Sequence, residues 1–214
     1  MIRLDYCIVA PVERHTKSFE KWLDHVSKFI PPPEEIIVAS ENKFPKSDKY
    51  TFVKVSLPSY VKKKTRHYRI GIAREVIREY VLENTSYREI FSLDSDVFPL
   101  CRYIPLTSYL LLEHFNAQLI DHNFQNKEGY PPVSLGCIFM TRELYSLSTF
   151  YPHGRFSEDS AFYATILNLG YFGYQFRIVF ADLFRIKHKN QIHNPEYTIR
   201  VVEIGKEKIN EGNH

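Results

Sequence analysis

The chain has little cysteine. Cys7, Cys101 and Cys137 are the only three, far apart and odd in number. They argue against a disulfide framework and show no zinc-ligand spacing, so free thiols in a reducing, cytoplasmic compartment are expected. No apolar run approaches the ~18 residues of a membrane-crossing helix. The first residues lack a long apolar stretch followed by a small-residue cleavage site, so no secretory signal is expected. Internal repeats and low-complexity tracts are absent. Charge of one sign is missing too: 28 Lys and Arg stand against 25 Asp and Glu, a net +3. That excess is too small to argue for a nucleic-acid partner, although it suits an anionic substrate.

What is present fits one globular domain. The 214 residues are 44% apolar and 25% charged, enough for a substantial core. Aromatics reach 15%, which serves a dense core or a sugar site lined by stacking rings. Residues 1–190 are expected to form a single catalytic domain, and 191–214 a tail whose structure the pattern does not define.

Leu4–Ala10 is apolar, ends at Pro11 and predicts a first strand. Phe19, Trp22, Leu23, Val26 and Ile30 recur at helical spacing and predict a helix over 16–29, ended by Pro31-Pro32-Pro33. Glu35–Ala39 and Thr51–Val55 predict two further strands. After the basic run Lys62–Arg66, the positions Ala73, Val76, Ile77, Tyr80 and Val81 predict a helix over 69–83. Cations near its start, Arg69 and Arg74, oppose the helix dipole and gain little locally, which suits Arg placed for phosphate. Ile90–Leu93 is the next strand. This strand-helix-strand-strand-helix-strand order is an α/β pattern with a parallel sheet.

The second half is less regular. Residues 108–115 suit a helix or a strand, and 117–120 a strand. Residues 126–132 are turn-rich. Val133–Met140 is strand-like but holds Gly136, a sign of a bulge or of close backbone approach by a ligand. Thr141 and Ser157 are candidate helix caps, the latter opening a helix over 158–169 that stops at Gly170. Tyr174–Phe180 reads as a strand.

The chemistry concentrates where Ile90–Leu93 runs into Asp94-Ser95-Asp96. Charged groups are rarely buried without partners, so a hydrophobic strand ending in two carboxylates places them at its carboxyl end. In open α/β sheets that edge holds the ligand. Two carboxylates two residues apart suit one hard divalent cation, which in turn bridges to phosphate. A simple turn is the competing reading of the triplet.

Together these pieces resemble the GT-A fold glycosyltransferases, within them the inverting family-2-like enzymes in a compact stand-alone form, over about Leu4–His188. Asp94-Ser95-Asp96 resembles the family's Asp-x-Asp. Arg69-Ile-Gly-Ile-Ala-Arg74 is similar to its Arg/Gly/Ala helix start. Gly136–Leu144 resembles its small-residue strand before a short helix, and Gly154-Arg-Phe-Ser-Glu158-Asp159 its Gly-Phe loop and Glu-Asp pair. Three features depart from the pattern. Ser40-Glu41 stands where an Asp pair is usual, Val12-Glu13-Arg14 replaces an Asn-Glu ending, and Ser160-Ala161-Phe162 replaces an Arg-Trp type motif. The nucleotide base and the acceptor are thereby left open.

The resemblance implies a Rossmann-like central sheet flanked by helices and a metal-dependent transfer from a nucleotide-sugar, UDP- or GDP-linked. Mn²⁺ or Mg²⁺ would be held by Asp96 and His188, with His193 as the alternative to the latter, and Asp94 would share the metal through water or hold the ribose. Arg69, Arg74 and Lys62–Lys64 are candidates for the phosphates, Asp94 and Ser95 for the donor, and Pro11, Glu13 and Glu41 for the nucleoside. Asp159 matches the family base, although Ser157-Glu158-Asp159 also makes an ordinary acidic helix start. The acceptor, whether glycan, lipid or protein, is not implied. Two other readings stay open. One is a haloacid-dehalogenase-like phosphatase, with Asp94 as nucleophile and Asp96 as acid/base; the other is a nucleotide-binding protein without catalysis.

Overall fold

Strands that are apolar on both parities have no face to offer water, so they belong in the middle of a sheet covered on both sides. The strands β1 (Tyr6–Pro11), β2 (Glu35–Ser40) and β4 (Glu89–Leu93) are of this kind. In the computed structural model, which describes residues 4–57, 65–122, 133–151 and 157–205, β2 and β4 pair in parallel on either side of β1. Beyond β2 lies β3 (Thr51–Lys54), also parallel. On the other side β4 meets β7 (Cys137–Thr141) antiparallel, and β7 meets β6 (Leu119–Asp121) antiparallel. Next come β8 (Phe176–Asp182), parallel to β6, and β11 (Thr198–Ile204), antiparallel to β8. The order is β11-β8-β6-β7-β4-β1-β2-β3, and only β7 and β11 run against the other six. A small antiparallel sheet joins β5 (Val97–Pro99), β9 (Ile186–His188) and β10 (Gln191–His193).

Alternation along β1 divides the core in two. Tyr6, Ile8 and Ala10 pack with Phe19 and Trp22 of α1 (Lys17–Val26) and Leu112 of α3 (Ile104–Phe115). Cys7 and Val9 face the opposite layer. There they meet Ile77 and Val81 of α2 (Arg66–Asn84), Leu144 of α4 (Arg142–Leu147) and Phe162 of α5 (Glu158–Tyr171). The result is a mixed α/β fold, a largely parallel sheet flanked by helices. Among the described residues no helix is long and apolar enough to cross a membrane.

Two helix caps are as expected, Thr141 accepting from Leu144 N–H and Ser157 from Ser160 N–H, and a third is Thr16, which accepts from Phe19 N–H and so precedes α1 instead of opening it. Several boundaries differ from expectation. α1 stops at Val26, with Ser27 as its C-cap. α2 begins at Arg66, so Arg74 lies in its third turn and opposes no dipole end. Residues 108–115 are helix, starting at Ile104 with a proline in the first turn. Only the part of 133–140 from Cys137 onward is strand. β8 starts at Phe176.

Gly170 does not stop α5. It sits inside the helix, where a Cβ would come within 2.5 Å of Ile204 Cγ2, so its role is close approach to β11. The stop comes at Gly173, whose φ of +94° turns the chain, with Tyr174 N–H reaching back to Leu169 O. The stretch after Arg185, undefined by pattern, supplies β9, β10 and the edge strand β11. Lys62–Lys64, the turn-rich 126–132 and 153–156 lie outside the described residues.

Candidate active site

Because β1, β2 and β4 are parallel, their carboxyl ends share one edge of the sheet. Pro11, Ser40 and Asp94 therefore meet there, and a cavity of about 660 Å³ opens between them. Its other walls are the first turns of α2 and α5, the Ser134–Gly136 approach to β7, and His188-Lys189 at the end of β9. Six carboxylates line it, Glu13, Glu41, Asp94, Asp96, Glu158 and Asp159, against four permanent cations, Arg14, Arg66, Arg69 and Lys189. Such an excess of negative charge attracts a cation.

One wall is a buried network. Arg74, only 4% exposed, donates from Nη1 to Ser92 Oγ at 2.8 Å and from Nη2 to Asp94 Oδ1 at 2.5 Å. Burial works against the guanidinium's charge, but Asp94, Glu158 and Asp159 outweigh it and raise its proton affinity. Ser92 Oγ donates to Leu135 O at 3.1 Å. The next links come from the same short segment: Asp94 N–H donates to Gly136 O at 3.0 Å, and Leu135 N–H donates to Asp159 Oδ1 at 3.0 Å. Ser134 N–H donates to Asp121 Oδ2 at 3.0 Å.

Asp159 faces the cavity from the first turn of α5. Enclosure by protein, with Glu158 and Asp94 adding repulsion, pushes its carboxyl up to about 6, against the pull of Leu135 N–H and Arg74. A raised pKa does not by itself mark a site. Glu89, at the opposite end of β4, is pushed up to about 7, first by burial, yet it lines no part of this cavity. Position and pKa coincide at Asp159.

The opposite wall is open. His188 Nε2 lies 3.5 Å from Asp96 Oδ2, and Lys189 N–H donates to Asp96 O at 3.4 Å. β5 and β9 make this pairing, because Val97 sits opposite His188. Desolvation opposes the Asp96 charge, but His188, Lys189 and Arg66 overcome it and hold the carboxyl below its usual value. Among the described residues no three or more His, Cys, Asp or Glu side chains gather closely enough to hold a metal ion. The Asp96–His188 separation nevertheless fits a shared ion, since two ligands at ~2.1 Å from one metal stand about 3–3.5 Å apart. A carboxylate oxygen and an imidazole nitrogen are also a suitable donor pair for Mn²⁺.

Pro11, Glu13, Glu41, Arg69, Asp94, Ser95, Asp96, Asp159 and His188 all line the cavity. Arg74 stands behind Asp94. Asp94 is turned to Arg74 and Asp96 to His188, so the two carboxylates of the motif do not point at one spot. Glu41 is ion-paired with Arg69, so these two hold each other. The Glu13 backbone carbonyl accepts from Ser40 Oγ and Asn42 Nδ2, tying the loops after β1 and β2 together. His193 lies elsewhere, bonded to Asp182 at 2.8 Å. Ser92 and Leu135 were not singled out from sequence, and Glu158 entered only as the partner of Asp159 in the Glu-Asp pair. Of Ser92 and Leu135, Ser92 carried a signal, a hydroxyl inside an otherwise apolar strand.

No family model matches the sequence, and no curated protein matches it. Solved structures do. A197 from STIV aligns over 99% of both chains with a TM-score of 0.54 at 13% identity. The mannosyltransferase PcManGT from Pyrobaculum calidifontis, in complex with GDP-Man and Mn²⁺, aligns over 81% of this chain and 54% of its own, TM-score 0.56, 13% identity. Glucosyl-3-phosphoglycerate synthase from Mycobacterium tuberculosis, in complex with Mn²⁺, UDP-glucose and phosphoglyceric acid, aligns over 88% and 72%, TM-score 0.59, 18% identity. The fold they share with this chain is the GT-A fold.

Proposed function

We propose, with the GT-A fold as premise, that this chain is a metal-dependent glycosyltransferase. It moves a sugar from a nucleotide-diphosphate sugar to an acceptor hydroxyl with inversion at the sugar carbon. The observation that carries the reading is Asp159, a carboxylate pushed up to about 6 on the wall of a charged cavity at the carboxyl edge of the sheet. A group titrating there is ionised at neutral pH yet basic enough to take a proton from a hydroxyl as that hydroxyl attacks. One base acting opposite the departing nucleotide gives a single displacement, hence inversion.

The leaving diphosphate needs positive charge. A divalent ion held by Asp96 and His188 would act as the Lewis acid, with Asp94 held by Arg74. Arg66, Arg69 and Lys189 line the same cavity and can add charge-assisted hydrogen bonds. Arg74 keeps Asp94 oriented from behind. Pro11, Glu13 and Glu41 lie at the ends of β1 and β2, where a nucleoside would rest, with Ser95 beside the diphosphate. The GDP-Man and UDP-glucose in the neighbours' complexes support a nucleotide-sugar donor. The free thiols Cys7, Cys101 and Cys137 support a cytoplasmic setting.

The phosphatase reading requires Asp94 as a nucleophile. Its carboxylate is instead committed to the buried Arg74, which blunts nucleophilicity. The test is nucleoside diphosphate release from UDP-glucose and GDP-mannose with Mn²⁺, water supplying the attacking hydroxyl and free sugar being the co-product. The wild type should turn over one donor, and Asp159→Asn should lose about 10²–10⁴-fold in rate. Equal rates would remove Asp159 from the mechanism.

A further inference from the structure

The main sheet has two edges, and they are finished differently. β3 is a short edge of four residues. β11 is an edge of seven, with β8 on one side and no described strand on the other. Its outward N–H and C=O groups are a template for a further strand. Charged side chains commonly guard such an edge. Here the two charges of the strand are engaged with β8. Arg200 lies over the Phe180 ring, 4.7 Å from its centroid, and Glu203 accepts from Arg177 Nε at 3.0 Å. Phe180 and Arg177 are the β8 residues directly opposite them. Ile199 and Val201, between and beside these charges, are apolar and exposed.

Both ends of the strand carry exposed aromatics. Just before it stands Tyr197, 74% exposed and held at a φ of +55°. A bulky residue in the left-handed region costs free energy, and such positions cluster where a protein makes contacts. Just after it stands Gly205, packed against Gly170 and Tyr174 O. The turn that follows α5 therefore lies at this end, and it presents Tyr171 and Phe172, 86% and 76% exposed. Apolar groups gathered along one edge mark an interaction surface.

The occupant follows from the pattern. Full overlap of β11 with a second, antiparallel β11 centres on Val201. Ile199 then stands opposite Glu203 of the other copy and Arg200 opposite Val202, so no like charges meet. Tyr197 comes opposite Gly205, where no side chain stands, beside the turn that carries Tyr171 and Phe172. A buried aromatic side chain contributes ~150–250 Å². Covering these three with Ile199 and Val201 removes on the order of 500 Å² per copy, about 1,000 Å² for the pair, which is the size a specific interface needs.

We infer that two copies of this chain pair through β11, antiparallel about a two-fold axis at Val201, and so continue one sheet across the dimer. The contact is isologous, each copy offering the same edge, so it closes at two. The axis is perpendicular to the sheet. The carboxyl edges of the two copies therefore point opposite ways, and neither cavity is covered by the pairing. The inference stands whether or not the chain transfers sugar.

The experiment is sedimentation velocity on the full chain over a wide range of concentration. The wild type should pass from monomer to dimer and no further. Val201→Lys sets two like charges opposite each other at the axis and should weaken the dimer by about tenfold or more. Tyr171→Ser with Phe172→Ser, at positions so exposed that the folded monomer does not depend on them, should weaken it by a similar factor. Mixing Val201→Lys with Val201→Glu should restore a dimer of one copy each, because this register brings residue 201 of both copies together. A wild type that stays monomeric, a wild type that grows beyond a dimer, or a dimer that both variants leave unchanged overturns the proposal. Failure of the Lys and Glu variants to pair with each other overturns it as well. A monomer that instead floats with phosphatidylglycerol vesicles would give the aromatic edge to a membrane surface and overturn the dimer.

Discussion

The two walls of the cavity are built differently, although both start from one triplet. Asp94 leads into a buried network: Arg74, Ser92, the Leu135 backbone and Asp159. Asp96, two residues on, leads into an open pairing with His188 on a three-residue strand. The first wall is anchored in the main sheet and its helices. The second hangs from the small sheet. A rigid base beside an adjustable cation-binding side suits a reaction in which the acceptor must be aimed and the diphosphate must leave.

The contrast predicts where substitutions hurt. The largest effect belongs to the rigid wall: Asp159→Asn should cut transfer by about 10³-fold, close to 4 kcal/mol of barrier, while donor binding measured by calorimetry persists. Loss of donor binding in the same variant would make Asp159 a structural residue.

Next is Arg74→Met. It strips the cation from a buried pair and leaves Asp94 and Ser92 without it. Asp94 remains about one-third exposed (34%), so a cost at the low end, about 3 kcal/mol, is expected in urea unfolding. A cost under about 1 kcal/mol would mean that the wall is not a network but a row of independent contacts.

Third is pH. The folded-state pKa of Asp159 is raised to about 6. Below pH ~4 the carboxyl is protonated in both folded and unfolded chains and contributes nothing. Between about 4 and 6 the unfolded chain loses this proton while the folded chain keeps it, so stability falls as pH rises and stays lower above. Asp159→Asn removes the penalty. The variant should be more stable than the wild type above pH 6, by roughly 1–2 kcal/mol once solvent entering the cavity is allowed for, and equal to it near pH 3. Transfer by the wild type should rise through the same interval, because only the ionised form takes a proton.

The smallest stability effect belongs to the open wall. Asp96→Ala and His188→Ala should each change unfolding free energy by less than about 1 kcal/mol, the size of an exposed ion pair.

How far the sequence discloses all this depends on which interactions are local. Period and caps are local, and β1, α1, β2, α2 and β4 with the caps Thr141 and Ser157 follow from them. The edge carrying Asp94 follows as well, because a parallel sheet aligns strand ends. The pairing of Arg74 with Asp94 and of Arg69 with Glu41 does not follow, since it depends on how α2 lies across the sheet. The antiparallel insertion of β7 and the edge placement of β11 are likewise matters of topology. Strands of three residues, such as β5 and β9, carry too little pattern to be seen, so His188 came from a family resemblance and His193 stood beside it. Gly170 shows the limit of a glycine signal: a stop and a close approach look alike until Ile204 is seen against it.

The most direct test is calorimetric titration of UDP, GDP, CDP and ADP into the wild type, Asp96→Ala and Asp159→Asn, each with and without Mn²⁺. The account predicts that one nucleotide binds the wild type only with Mn²⁺, that Asp96→Ala abolishes this, and that Asp159→Asn preserves it. Binding that ignores Mn²⁺ or survives Asp96→Ala, or no binding by any nucleotide, would contradict it.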